Sequence, residues 1–592
     1  MFPIPQFNNP DRSSLVASFP KIEAIFRDFC EQKRIPGLSY GIVADGALVH
    51  SGGMGIQRTD TRVLVTPDSV FRIASMSKSF TAMAILKLRD EGKLRLDDPA
   101  SNYVPELTDL PYPTRDSAPI TVFQLLTMGA GFPQDDPWAD RQLNASPETM
   151  SAWMRGGISF SNPPNLKYEY SNFGYGILGR IITNVAGVPY QEYIQQGIFE
   201  PLGMASTTYD VHKVDPQRLA MGYRHDGDDW AEEPPLEDGE FGAMGGLFTT
   251  IPDFARYMIF LLSAFPPRDD EETGPIRRSS AREMQTPWRQ RMIQSSRATP
   301  DAPTFFTSDG YGFGLACGTD SLVGYSVAHG GGLPGYGCYY RLLPDTGIGI
   351  VAFTNLTYAG PSTPIFDALK LLRNADALKP RTLPTAPVLL EAQTAITQIY
   401  NQWDSAALEA LTTESFFQNM PLEQRRRQIK ELRADFGKCT SVTAFEPENA
   451  LRGHWTMRCK HGSIEAYITL APTIPPLVQV LEFTAAKPLA GVLRRTAKQI
   501  VFMIQFWDDD YARKRFAGSL KRKDLRQQFA ALHMHYGELK LGKVIEGDGK
   551  TQARVRLEGE RGAVEMKIAL DPKSSRVSEI SFAKPSEDAF VP

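Results

Sequence analysis

Three short stretches, far apart in the chain, carry side chains able to do nucleophilic chemistry. They are Ser75-Met76-Ser77-Lys78, Tyr170-Ser171-Asn172 and His329-Gly330-Gly331-Gly332. A serine hydroxyl attacks a carbonyl only when a neighbour takes its proton, and a lysine can do so once burial or nearby cations push its pKa toward neutrality. The chemistry these residues offer is acyl transfer, in which an ester or amide opens through an acyl-enzyme on Ser75. Spacing alone decides little, because Ser18-Phe19-Pro20-Lys21 repeats the SxxK pattern and reads as a helix entry with proline near its start.

What sets Ser75 apart is its context. The run Ser79 to Leu88 is apolar at helical spacing and stops at Glu91-Gly92, which predicts a helix with a glycine stop. Ser75 then falls in the first turn, where unpaired N–H groups and the positive end of the helix dipole favour a developing alkoxide. Lys78, three residues on, shares its face. Tyr170 and Asn172 precede a second apolar helical run, Gly174 to Val185. His329 precedes a strand at Tyr336 to Leu343, as expected of a sheet edge bordering a site.

The elements that must position these residues are also legible. Asp45-Gly46 between Leu38–Ala44 and Ala47–Ser51 suits a type I′ hairpin, and Pro344-Asp345-Thr346-Gly347 joins a second hairpin, Gly337–Leu343 with Ile348–Asn355. An antiparallel sheet built from both ends of one long domain follows, with a helix-rich middle inserted. The loop Gly131 to Trp138 follows a predicted helix at Val122–Met128 and offers Asp135, Asp136 and Trp138 to a substrate. Either carboxylate is a candidate for the ammonium of an N-terminal amino acid, although the same loop also reads as a capped turn whose Asp residues fold onto their own backbone.

In the order SxxK, YxN, HxG, these motifs resemble the penicillin-recognising serine hydrolases, that is, class C β-lactamases, DD-carboxypeptidases, D-aminopeptidases and related esterases. The resemblance covers roughly residues 20–375, with Glu91-Gly92-Lys93-Leu94, Leu125-Leu126-Thr127-Met128, Pro201-Leu202-Gly203-Met204 and Gly245-Gly246-Leu247 among its matches. It implies Ser75 as nucleophile and Lys78 and Tyr170 as partners in general-base work. Asn172 would orient a substrate amide or the lysine, and the Ser75 and Gly332 N–H groups would form the oxyanion hole beside Gly331. His329 stands where many relatives carry the lysine of a KTG motif. An imidazole is largely neutral at pH 7, so β-lactam cleavage is expected to be weak or absent. Relatives with HxG include D-aminopeptidases, one of which also carries two extra C-terminal domains, and esterases.

Gly37-Leu38-Ser39-Tyr40-Gly41 imitates the GxSxG of α/β-hydrolases. That reading fails because a strand, not a helix, continues after Ser39, and because HGGG should precede the nucleophile in that fold.

The chain has 592 residues, too many for one hydrophobic core. The proline-bearing stretch 376–389 reads as a linker. Beyond it, Gly462, Glu465, Ile468, Leu470 and Pro472 recur as Gly562, Glu565, Ile568, Leu570 and Pro572, while Trp403-Asp404 matches Trp507-Asp508 and Ala486-Lys487-Pro488 matches Ala583-Lys584-Pro585. The expected architecture is an α/β (α+β) β-lactamase/transpeptidase-like domain over residues 1–378, with an antiparallel sheet flanked by helices and an inserted helical region. Two small α+β repeats, 391–488 and 489–592, follow, each with one or two helices before a sheet. His533-Met534-His535 reads as helix surface.

Charge is nearly balanced, 64 Lys plus Arg against 68 Asp plus Glu, so neither nucleic acid nor a membrane surface is an expected partner. No segment approaches the ~20 apolar residues of a membrane helix. The N-terminal stretch lacks a signal peptide, which makes the expected location cytoplasmic, or periplasmic or secreted if a leader was removed. Five cysteines without a CxxC are expected reduced, with Cys439 and Cys459 the one plausible cross-strand pair. The sequence therefore predicts a serine hydrolase acting on a small peptide or amide. The alternatives are a carboxylesterase and a catalytically silent scaffold. No metal or cofactor is called for, and the C-terminal repeats are the expected surface for homo-oligomerisation.

Overall fold

The computed structural model describes residues 10–297, 304–381, 384–559 and 562–583. Residues 1–9, on which the expectation about a leader partly rests, and Lys584-Pro585 of the repeat lie outside the described residues. The chain divides into two compact units, 1–382 and 383–592.

The first unit is organised by an eight-stranded antiparallel sheet that joins the two ends of its sequence. Its strands are β1 (Gly37–Ala44), β2 (Ala47–Gly55), β3 (Arg289–Ser296), β4 (Phe305–Tyr311), β5 (Ala316–Asp320), β6 (Gly324–Leu333), β7 (Tyr336–Leu343) and β8 (Ile348–Thr354), in the order β2-β1-β8-β7-β6-β5-β4-β3. Asp45 and Gly46 both have positive φ, 49° and 85°, as a type I′ turn demands. Every residue of β1 and of β8 is buried, because helices cover both faces. On one face α1 (Ser13–Lys33) and α5 (Ser362–Asn374) seal Leu15, Ile22 and Phe26 with Ile365 and Leu369 over Tyr40 and Ile350. On the other lie α2 (Lys78–Asp90), α3 (Asn172–Ala186) and α4 (Ile251–Ser263), whose Phe80, Tyr175 and Phe254 share a core with Val351 and Phe353.

Two decoys resolve here. Ser39 sits in mid-strand, its hydroxyl donating to the Thr66 and Gly52 carbonyls. Ser18-Phe19-Pro20-Lys21 lies inside α1 rather than at a helix entry, and the Ser18 hydroxyl bonds the Ser14 carbonyl one turn back.

The second unit is one nine-stranded sheet carrying two helical layers. Strands at Arg452–Cys459, Gly462–Leu470 and Val478–Ala486 form the middle of the first repeat, and Leu539–Gly547, Gln552–Gly559, Gly562–Leu570 and Val577–Ala583 form the second. A single parallel bridge, Ala486 to Gly547, joins them. The repeat is physical as well as textual. Asp404 caps the helix Ser405–Leu411 and Asp508 caps Asp509–Arg515 through the same bond to an N–H three residues on, and both Gly437 and Gly537 end long helices at positive φ, 80° and 74°. Each repeat is more helical than expected, with four helices in the first and three in the second among the described residues. The first of them begins at Pro387, inside the stretch read as linker, because proline is well suited to the first helical position. His533 and His535 fall on the helix Arg522–Tyr536. Cys439 and Cys459 are cross-strand partners, and both thiols are free.

Candidate active site

Ser75 is not in an α-helical turn. It lies in a 3₁₀ turn, Ala74–Ser77, that leads into α2, and Ala74 holds φ at 49°. A non-glycine residue in the left-handed region stores strain, which persists only when its surroundings enforce it. Here they do, since Ile73 donates its N–H to Leu247 and the turn rests against β6 at Gly331. A Cβ on Gly331 would stand 2.3 Å from the Ile73 carbonyl oxygen and 2.4 Å from Cys338 Sγ, so only glycine lets the strand come this close. Strand β5 leaves β6 after Ala328. His329 to Leu333 therefore pair with β7 alone, and their other edge faces the serine.

α2 is buried on nearly all sides, with Lys78 fully enclosed. The Lys78 amine makes three contacts, at 2.8 Å to Ser75 Oγ, 2.7 Å to Asn172 Oδ1 and 2.8 Å to the Met244 carbonyl. Burial pulls its pKa down from 10.5 to about 8, against an opposing pull from Asp136, Asp140 and Asp135. Tyr170 packs its ring 5.0 Å from the amine. Its pKa is driven well above the ordinary phenol value by burial, which outweighs an interaction with the Ser75 hydroxyl. Both shifts have one cause, since burial disfavours the charged ammonium and the charged phenolate alike.

His329 sits one layer further out, its ring 6.5 Å from that of Tyr170. Nδ1 lies 2.6 Å from the Gly330 carbonyl and Nε2 3.0 Å from the Tyr311 hydroxyl. A carbonyl only accepts, so Nδ1 carries the proton and Nε2 receives one from Tyr311. Burial, with the Lys78 charge adding to it, lowers the histidine pKa to about 3. The imidazole is neutral and does not touch Ser75. It borders a cavity of about 430 Å³ with Tyr170, Tyr168, Arg291, Asp309 and Tyr339.

Asp135 and Asp136 do different work from that expected. Asp135 caps α3, with one oxygen accepting the Asn172 N–H and the other the Phe173 N–H, both at 2.7 Å. Asp136 accepts from the Asn172 side-chain amide at 2.6 Å and from Gln134 at 3.0 Å. Each of the four oxygens accepts a hydrogen bond from the protein, which commits both carboxylates to Asn172, Phe173 and Gln134. Asp136 instead fixes which end of the Asn172 amide faces Lys78. Trp138, 45% exposed, packs on Trp153 and Phe241. Tyr336 and Tyr340 on β7 are fully buried in the core, and of the tyrosines on that strand only Tyr339 reaches the cavity.

Sequence reasoning missed the Met244 carbonyl, Tyr311, Tyr358 and Asp140. The first had a signal, since it adjoins Gly245-Gly246-Leu247. Asp140 and Tyr358 meet across 218 positions of sequence and match no motif.

The chain is 29% identical over 343 residues to Protein flp of Staphylococcus aureus (strain MW2), covering 57% of this chain and 63% of that one. It is 28% identical over 312 residues to the D-alanyl-D-alanine-carboxypeptidase/endopeptidase AmpH of Escherichia coli (strain K12), covering 52% and 76%. Thus it spans a little under two thirds of the length of Protein flp. The octameric penicillin-binding protein homologue from Pyrococcus abyssi has the same fold, with a TM-score of 0.51 at 20% identity over 95% of this chain and 100% of that one. The family model described as Beta-lactamase matches residues 22–373, the span that contains Ser75, Lys78, Tyr170 and His329, and the chain belongs to that family of serine hydrolases.

Proposed function

We propose that the protein cleaves an amide or ester of a small peptide or amide through an acyl-enzyme on Ser75, in the manner of an aminopeptidase. The observation that carries this reading is the buried Lys78 amine, 2.8 Å from Ser75 Oγ with its pKa lowered to about 8. Lys78 takes the hydroxyl proton as Oγ attacks the carbonyl, and the tetrahedral oxyanion is held by the Ser75 and Gly332 N–H groups. The Tyr170 phenol donates its proton to the departing amine or alkoxide and is restored from Lys78. Water then repeats the attack on the ester. No step calls for a metal or cofactor. A neutral His329 supplies no cation to a β-lactam carboxylate, which supports weak or absent β-lactamase activity and keeps a carboxylesterase as the second reading.

A panel of D- and L-aminoacyl amides, p-nitrophenyl esters and nitrocefin tests the proposal. Turnover of amides above nitrocefin by at least about a hundredfold in kcat/KM is expected. Turnover of esters alone moves the protein to the second reading, and faster nitrocefin cleavage contradicts both.

A further inference from the structure

The ammonium expected at Asp135 or Asp136 has a better receptor five residues from the first of them. Asp140 is 2% exposed. Its Oδ2 accepts one hydrogen bond, from the Tyr358 hydroxyl at 2.8 Å. Among the described residues no donor reaches Oδ1, and no lysine, arginine or histidine pairs with this carboxylate. The Lys78 charge acts on it only at a distance, and burying a carboxylate without a directly paired cation is costly unless something arrives to neutralise it. Burial raises its pKa to about 6, with the neighbouring charges of Asp136 and Asp135 raising it further and Tyr358 and Lys78 opposing.

Its partner stands at the right place. Tyr358 is half exposed and holds φ at 53°, a strained backbone for a tyrosine. Its ring lies on Gly332, where an added Cβ would come within 2.7 Å of Tyr358 Cδ1. Gly332 is the residue whose N–H is assigned to the oxyanion. None of Asp140, Tyr358 and Gly332 lines the 430 Å³ cavity beside His329, so the pair marks a separate part of the cleft. In an aminoacyl substrate the ammonium sits one carbon from the scissile carbonyl, so a receptor for it must lie next to the oxyanion position.

From this we infer that Asp140 is the cation-recognising residue of the acyl subsite. Its free oxygen takes the ammonium of a substrate's N-terminal amino acid, while Tyr358, as a positioning residue, holds the other oxygen. The inference rests on Ser75 forming the acyl-enzyme.

The test uses the full chain and the rate at which a fluorophosphonate labels Ser75, with alaninamide and propionamide as protecting ligands that differ only in the amino group. Alaninamide should protect the wild type at a concentration at least about tenfold below that of propionamide. Asp140→Asn should narrow that gap to about twofold or less, and Tyr358→Phe should leave it in between. Equal protection by the two amides in the wild type, a measurement that needs no variant, overturns the inference. An unchanged gap in Asp140→Asn overturns it as well. Absence of any labelling of Ser75 defeats instead the acyl-enzyme reading on which it rests.

Discussion

At the scale of single residues, the account turns on which proton moves first. Only the unprotonated Lys78 amine can act as base, and burial brings its pKa to about 8. The free-enzyme rate therefore rises with pH until the amine is neutral. For an uncharged ester, kcat/KM should climb about tenfold per unit below pH 8 and level off above it, and a profile flat from about pH 6 to 9 would contradict Lys78 as base. His329, lowered to about 3, adds no inflection near the ordinary histidine value. Asp136 acts through Asn172. Asp136→Ala should lower kcat about tenfold with little change in KM, because the Asn172 amide is then free to turn its oxygen from Lys78. An equal loss in KM would show that Asp136 touches substrate.

The residues that a motif could name, Ser75, Lys78, Tyr170 and Asn172, converge around one amine. Those that depend on distant contacts could not be read from the sequence. Asp135 and Asp136 were visible as carboxylates beside aromatic surface, but their direction was not. A carboxylate that receives two backbone N–H groups is indistinguishable in sequence from one that waits for a ligand, and the deciding fact, that α3 begins against this loop, lies 37 residues downstream. Asp140 and Tyr358 carry no pattern at all.

At the scale of elements, the two hairpins were readable because asparagine-like and glycine turn residues with alternating or apolar flanks fix short-range register. The 3₁₀ turn at Ser75 was not readable, since its geometry is imposed by Gly331 and the Ile73–Leu247 bond rather than by local propensity. This makes Gly331 a test of the element. Gly331→Ala should cost about 1–3 kcal/mol in denaturant unfolding and abolish Ser75 labelling, since backbone and sulfur atoms must move to admit the methyl group. Tolerance within about 0.5 kcal/mol would mean the strand does not press on the turn. The caps offer a gentler comparison. Asp404→Ala and Asp508→Ala should each cost about 1 kcal/mol, as equivalent positions of a repeat should.

At the scale of the whole molecule, the division near residue 382 assigns all the chemistry to one unit. The helices of the repeats were under-counted from sequence because short capped helices such as Ser405–Leu411 lack the length that makes periodicity visible. Residues 1–382 alone should take up a fluorophosphonate, and, since we propose that the repeats assemble the protein, light scattering should find the full chain as a homo-oligomer and the first unit as a smaller species. A full-length monomer would remove the assembling role from the repeats.

The most direct test of the central claim is to treat the intact protein with a fluorophosphonate and map the adduct by mass spectrometry. One adduct per chain, on the peptide containing Ser75 and absent from Ser75→Ala and Lys78→Met, is the predicted result. No adduct, or an adduct on another serine that persists in Ser75→Ala, would contradict it.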